Sequence, residues 1–155
     1  MENNNDLALK VLNYLKQDKN KSIFFDKKKE LKVNEAKKII NNITSHLYNL
    51  SKNKNLIIGI LLERNVYYLI SIFACWLSGA TVVPLNKSWP KNHLNQIKKK
   101  LKFDYILIDD KKDKKSKNYL ILNSLINKTK NSFSNNNLRL LRKKNFTPYI
   151  IFTSG

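Results

Sequence analysis

The chain is short of the residues that punctuate or cross-link a polypeptide. Its 155 residues include one cysteine, three glycines and three prolines. A single cysteine, Cys75, excludes an intrachain disulfide, and no metal-ligand spacing surrounds it. It stands in the apolar run Ile70–Leu77, which reads as a buried, inert thiol. Acidic residues are scarce as well, eleven against thirty basic ones, for a net charge of +19. Arginine is scarcer still: apart from Arg64, Arg139 and Arg142, every basic residue is lysine. The lysines are spread along the chain, at Lys27–Lys29, Lys37-Lys38, Lys98–Lys100, Lys111-Lys112 and Lys114-Lys115, without interleaved stacking aromatics. Together with abundant asparagine and isoleucine they read as a solvated surface set by an AT-rich coding sequence, and no nucleic-acid partner is expected. The start, Met1 to Asp6, is polar and acidic and lacks the basic and apolar parts of a signal peptide, so a reducing, cytoplasmic setting is expected.

What the chain does have is apolar residues, 42% of the total and enough for a real core. Asp6 is placed to cap a first helix with Leu7, Val11, Tyr14 and Leu15 on one face. Ser22 to Asp26 reads as a strand, Lys27–Lys29 as a turn, and Leu31 and Val33 as alternating positions of a return strand. Asn34 is the expected N-cap of the clearest helix, where Ala36, Ile39, Ile40, Ile43, Leu47 and Leu50 recur at helical spacing. After the polar break Ser51–Asn55, Leu56–Leu62 is a continuous apolar run, as a parallel strand covered on both faces requires. Val66–Ser78 has helix length and Gly79 is placed to end it in a left-handed conformation. Thr81–Val83 is a β-branched strand ended by Pro84, Trp89-Pro90 a turn, His93–Leu101 a helix with Leu94, Ile97 and Leu101 on one face, and Tyr105–Ile108 a third strand.

This alternation predicts an α/β fold, a layered, mostly parallel sheet with flanking helices. Beyond it, Asp109–Asn118 reads as a lysine-rich loop, Tyr119–Leu122 as a short strand and Asn123–Lys130 as a short helix. Asn131–Asn137 is a low-complexity loop, and Pro148–Phe152 a last strand that delivers Thr153-Ser154-Gly155. Four parts are expected: N-terminal helices and hairpin (1–55), a βαβαβ unit (56–109), a lysine- and asparagine-rich connection (110–146), and the strand with the start of a loop (147–155). Neither histidine suggests a site. His46 reads as a boundary residue of its helix and His93 as solvated, while Asp109-Asp110 reads as a charged turn rather than as paired carboxylates. No catalytic or metal-binding residue can be assigned.

A strand that runs into a Ser/Thr/Gly turn is a common way to hold an anion, because small residues let backbone N–H groups point at phosphate oxygens. Tyr149-Ile150-Ile151-Phe152-Thr153-Ser154-Gly155 resembles the opening of the phosphate loop of adenylate-forming (AMP-binding) enzymes, whose pattern continues through Ser/Thr-Thr-Gly to Pro-Lys-Gly. Upstream, Gly59 to Arg64, then Gly79-Ala80-Thr81-Val82-Val83-Pro84-Leu85-Asn86 and Ser88-Trp89-Pro90, resemble the segment of that family ending in Gly-Ala, a strand and Pro-Leu-Asp/Asn. Leu31 to Leu50 occupies the place of the family's N-terminal helix. Leu61-Leu62-Glu63-Arg64 and Pro84 to Pro90 look most like domains that adenylate amino acids, although Asn86 stands where those often have Asp and Trp89 where they often have Tyr.

The resemblance implies that a carboxylic acid, an amino acid among the candidates, is activated with ATP and Mg²⁺ as its acyl-adenylate. A phosphopantetheine arm on a carrier protein, or coenzyme A, would take the acyl group as a thioester. Thr153, Ser154 and Gly155 match the first positions of the loop that grips the β- and γ-phosphates. The rest of that loop, the adenine and ribose contacts, the acyl pocket and the lid with its lysine have no counterpart within these residues. The 155-residue piece is therefore expected to be the incomplete N-terminal lobe of a ligase, inactive by itself and poorly soluble. Two other readings compete with it. A non-catalytic basic module would dock to nucleic acid or anionic lipid, and a membrane-anchored protein would use the uncharged stretch Val66–Leu85.

Overall fold

A computed structural model of the chain describes residues 7–17, 20–52, 54–111, 116–127 and 147–152. Helix α1 (Leu7–Gln17) leads to a hairpin of β1 (Ser22–Phe25) and β2 (Glu30–Lys32), and α2 (Val33–Ser51) follows at once. Then come β3 (Ile57–Leu61), α3 (Val66–Ser78), β4 (Thr81–Pro84), α4 (Lys91–Lys100), β5 (Tyr105–Ile108), β6 (Tyr119–Ile121) and α5 (Leu122–Ile126). Strands β3 to β6 form one parallel sheet in the order β4-β3-β5-β6, as the alternation predicts. The cap expected at Asp6, the loop expected at Asn131–Asn137 and the phosphate loop expected at Thr153–Gly155 lie outside the described residues.

Both sheet faces are apolar, which explains the unbroken apolar run of β3. Ile58 and Ile60, with Val82 and Leu107, pack under α1, α2, α3 and α5. Their alternate neighbours Ile57 and Leu61, with Val83, Ile106 and Ile108, face α4 through Leu94 and Ile97. At Gly59 that second face has no room for a side chain. An added Cβ would lie 3.0 Å from Leu85 Cδ1 and 3.2 Å from two atoms of the Phe103 ring. The central helix α2 is buried on more than its apolar stripe, and two of its polar residues find partners across the packing while the buried Ser45 hydroxyl finds none among the described residues. Asn42 Nδ2 donates to the Ile126 carbonyl at 2.9 Å, and Thr44 Oγ1 to the Ala74 carbonyl at 3.2 Å.

Several local expectations are corrected. In α1 the buried residues are Ala8, Leu12 and Leu15, whereas Leu7 and Tyr14 are exposed; a helical period fits more than one face, and the packing against α2 and α3 chooses between them. Helix α2 begins at Val33, capped by Lys32 and not by Asn34. No side-chain cap is needed because the Val33 N–H donates to the Lys21 carbonyl at 2.9 Å across the hairpin. Leu122 starts α5 instead of ending β6, and α4 begins at Lys91 rather than His93.

Gly79 does end α3 in the left-handed region, at φ 81°. The uncharged stretch Val66–Leu85 is thus a helix, a turn and a strand, and among the described residues no helix is long and apolar enough to cross a membrane.

Candidate functional site

The segment before the expected phosphate loop is seated by main-chain and side-chain bonds to β4 and α3. Tyr149 forms a parallel bridge with Val82. The Val82 N–H donates to the Pro148 carbonyl at 3.1 Å, and the Ile150 N–H donates to the Val82 carbonyl at 2.9 Å. Thr81 Oγ1 donates to the Thr147 carbonyl at 2.7 Å, and the Trp76 indole N–H to the Pro148 carbonyl at 2.8 Å. The Trp76 ring meets the Tyr149 ring edge-on, with centroids 6.2 Å apart. Pro148 has no N–H to offer a ladder, so an edge position suits it. The regular ladder expected over Pro148–Phe152 is thus reduced to one bridge, but its parallel direction sends the chain toward the carboxyl ends of β3 and β4. Thr153, Ser154 and Gly155 come next in sequence and lie outside the described residues.

At those carboxyl ends lies a cleft of about 600 Å³. Its walls include Phe25 and Asp26 from the hairpin, Arg64 and Asn65 after β3, Tyr68 and Leu69 from α3, Trp89 after β4, and Tyr149 to Phe152 in part. Phe25, Leu69 and Ile151 are among the few large apolar side chains that stay exposed, at 77%, 48% and 67%. Exposed apolar surface gathered in one concavity marks a binding surface more often than scattered residues do.

Among the described residues, Asp26 and Arg64 are the only charged ones on this wall. The Asp26 carboxylate accepts from the backbone N–H groups of Lys28 at 2.7 Å, Lys29 at 2.9 Å and Val66 at 3.0 Å, tying the hairpin turn to the start of α3. Those bonds, that from Lys28 foremost, hold its pKa below the ordinary aspartate value. Asn65 caps α3 by accepting from the Tyr67 N–H at 2.9 Å. Burial pushes the phenols of Tyr68 and Tyr149 up, against the pull of the Arg64 charge. They are neutral near pH 7.

In an open parallel sheet the usual ligand crevice lies where consecutive strands depart in opposite directions, here between β3 and β5. That point is closed by ions. Lys87 Nζ lies 2.5 Å from Asp109 Oδ2 and 3.3 Å from Glu63 Oε1, and Asp109 Oδ2 also accepts from the Glu63 N–H at 3.0 Å. Burial opposes the charge on Lys87, but the bonds to Asp109 and Glu63 outweigh it and its pKa is raised. Asp109 is thus a paired turn residue, and the open cleft is displaced toward β4 and Tyr149. Sequence reasoning did not single out Lys87, Arg64 or Tyr68. The local signals were that Arg64 closes the Leu61-Leu62-Glu63-Arg64 stretch and is one of three arginines in a lysine-rich chain.

The remaining candidates are inert. His93 is exposed, edge-on to Trp89 with centroids 4.9 Å apart, and His46 is half-buried. No group of acidic, histidine and cysteine side chains among the described residues could hold a metal ion. Cys75 is fully buried, and burial pushes its thiol up to about 12. A thiol-specific reagent is therefore expected to leave native Cys75 unmodified even at pH 9 and to label it in denaturant. Rapid labelling of the folded protein would contradict the burial.

The chain was compared with known proteins. A family model described as AMP-binding enzyme matches residues 13–155. No curated protein sequence matches. Among solved structures, the nonribosomal peptide synthetase FmoA3 superposes at TM-score 0.81 and 12% identity, covering 96% of this chain and 16% of that one. The N-terminal subdomain of Klebsiella oxytoca NpsA gives TM-score 0.68 at 19% identity, covering 94% and 38%. O-succinylbenzoate coenzyme A synthetase (MenE) from Bacillus subtilis, solved with AMP, gives 0.63 at 15%, covering 75% and 32%. The chain thus spans well under half the length of the solved structures it resembles, and at these identities they show a shared fold. The layered parallel sheet, the strand seated beside β4 and a family match over nearly the whole length agree: the chain belongs to the AMP-binding enzyme family.

Proposed function

We propose that these residues form the amino-terminal part of a ligase lobe that activates a carboxylic acid with ATP and Mg²⁺, for thioester formation in the cytoplasm. One observation carries the reading: Tyr149 lies parallel beside β4, so that the chain leaves Phe152 at the carboxyl end of the sheet, on the wall of the cleft. A strand aimed this way can present the backbone N–H groups and hydroxyls of Thr153, Ser154 and Gly155 to the β- and γ-phosphates. We assign these three residues binding roles and no acid–base role. The residues present fit a polyphosphate at this place, because the wall carries an arginine and its one carboxylate is already engaged by three N–H donors.

When bound, ATP supplies the α-phosphorus that the substrate carboxylate attacks, and pyrophosphate departs. This part of the protein contributes by holding the departing phosphates in place. The stretches Leu61 to Arg64 and Pro84 to Pro90 favour an amino acid as the acid and a phosphopantetheine carrier protein as the acceptor, with coenzyme A the other acceptor of the family.

Two measurements test the reading. The nucleotides after the Gly155 codon are expected to encode Ser/Thr-Thr-Gly and Pro-Lys-Gly, in frame or after a frameshift. An unrelated continuation would count against it. Residues 1–155 produced alone are expected to give no ATP–pyrophosphate exchange above a no-enzyme blank, since they include neither the lysine of the loop nor a group that orients the carboxylate. Exchange above the blank would show that the division of labour proposed here is wrong.

A further inference from the structure

We infer that Lys87 is a positioning residue: by clasping Glu63 and Asp109 it keeps the crevice between β3 and β5 shut, and it fixes the turn that carries Trp89 to the cleft wall. Neither duty requires a phosphate in the cleft.

Each of the three charged residues follows a strand. Glu63 comes two residues after β3, Lys87 three after β4 and Asp109 directly after β5. Strand β3 is hydrogen-bonded to both β4 and β5, so the three side chains meet at one end of the sheet. The Lys87 ammonium lies 2.5 Å from Asp109 and 3.3 Å from Glu63. The two carboxylates are therefore near each other, and without the ammonium between them they would repel. The bond from the Glu63 N–H to Asp109 is the one that this repulsion would loosen. The Lys87 and Asp109 side chains are only 29% and 26% exposed, so the pair is partly shielded from water.

The turn from Asn86 to Trp89 shows what the clasp holds. Its own hydrogen bonds are internal. Asn86 Oδ1 accepts from the Ser88 N–H at 3.0 Å and from the Ser88 hydroxyl at 2.9 Å, and the Asn86 carbonyl accepts from the Trp89 N–H at 3.2 Å. The last main-chain bond from this stretch to β3 runs from the Leu85 N–H to the Ile60 carbonyl, at 2.9 Å. Beyond it, among the described residues, the Lys87 ion pairs tie the turn to the ends of β3 and β5. Two residues later Trp89 lines the cleft and meets His93 of α4 edge-on, with centroids 4.9 Å apart. A charge pair at the crevice thus sets where an aromatic wall of the cleft stands.

The experiment uses the 155-residue chain, ¹⁵N-labelled, whose two tryptophans give two indole N–H signals. Lys87→Met keeps the aliphatic stem and removes the charge. It is expected to move the Trp89 indole signal and to speed exchange of the Leu85 amide about fivefold, the scale of a partly exposed ion pair. The Trp76 indole signal and exchange at the Ile106 amide, which donates to Asn118 on the far side of β5, should stay as they are. Lys87→Arg, which keeps the charge, should restore both Trp89 and Leu85. In the unmodified chain, salt at about 1 M should move the Trp89 signal toward its Lys87→Met position, and in the Lys87→Met variant it should not.

Unchanged Trp89 and Leu85 signals in Lys87→Met overturn the inference. So does a Lys87→Arg protein that behaves like Lys87→Met, since the charge would then not be what acts. Exchange accelerated equally at Leu85 and Ile106 would show a general loss of stability in place of a local clasp, and would overturn the positioning role.

Discussion

Replacing Trp76 with alanine is expected to destabilise the fold by about 3 kcal/mol and to release the 147–152 segment from β4. Buried Trp-to-Ala changes cost roughly 3–5 kcal/mol, and the lower end applies because Trp76 is only partly buried. The ring has two separable duties. Its edge-on contacts with Phe73, at 5.5 Å between centroids, and with Tyr149 fill the gap between α3 and the strand segment. Its indole N–H is one of two donors to the Pro148 carbonyl, the Val82 N–H being the other.

Trp76→Phe keeps most of the packing and loses only the indole bond, so it should cost about 1 kcal/mol more than its lost volume. The global effect is read from urea unfolding. The local effect is read from hydrogen exchange at the Ile150 amide, which donates to Val82. In Trp76→Ala that amide should exchange much faster relative to the amides of β3 than it does in the unmodified chain. If Ile150 stays protected and stability changes by less than 1 kcal/mol, Trp76 does not anchor the segment.

Gly59→Val is the second large effect, an expected loss of about 2–3 kcal/mol, in the range of core overpacking. Strand propensity predicts the opposite, since valine is favoured and glycine disfavoured within a strand. The structure decides against propensity. Gly59 lies in β3 between β4 and β5, on the face where Leu85 and Phe103 have closed over the missing side chain. Alanine meets the tip of Leu85 first, a flexible end that can yield, so Gly59→Ala should cost about 1 kcal/mol or less. The two γ-carbons of valine would have to displace the Phe103 ring as well. A Gly59→Val protein as stable as the parent, by thermal or urea unfolding, would show that this face is looser than the contacts indicate.

The contrast between Gly59 and Gly79 illustrates what the sequence discloses. Gly79 sits where an apolar helix ends and a strand begins, and its left-handed φ follows from that local pattern alone. The parallel arrangement of β3, β4 and β5 was legible for the same reason, as were the helices around Ile43 and Ile70. The empty space beside Gly59 depends on Leu85 and Phe103, which no local pattern ties to it. The exposed Leu7 and Tyr14 of α1, and the start of α2 at Val33 instead of after Asn34, were likewise decided by partners elsewhere.

The candidate site divides in the same way. The approach of Tyr149 to the sheet was legible from the apolar run that precedes Thr153, which itself lies outside the described residues. The cleft was not, since Asp26, Arg64 with Tyr68, Trp89 and Tyr149 come from four separate stretches of chain. Nor does any local pattern announce the Glu63–Lys87–Asp109 cluster, which occupies the crevice that strand order would nominate.

The seating of Tyr149 also sets an order of assembly. Strands β3, β4 and β5 follow one another with a single helix between each pair, so their pairing closes short loops. The bonds from Trp76 to Pro148 and from Thr81 to Thr147 join residues 72 and 66 positions apart, after the chain has visited the opposite edge of the sheet at β6. Closing so long a loop is slow compared with the local steps. A nascent chain would therefore hold a finished helix–sheet body before the 147–152 segment can be seated, and the outer flank of β4 would stay unpaired, open to wrong partners, until Pro148 is made.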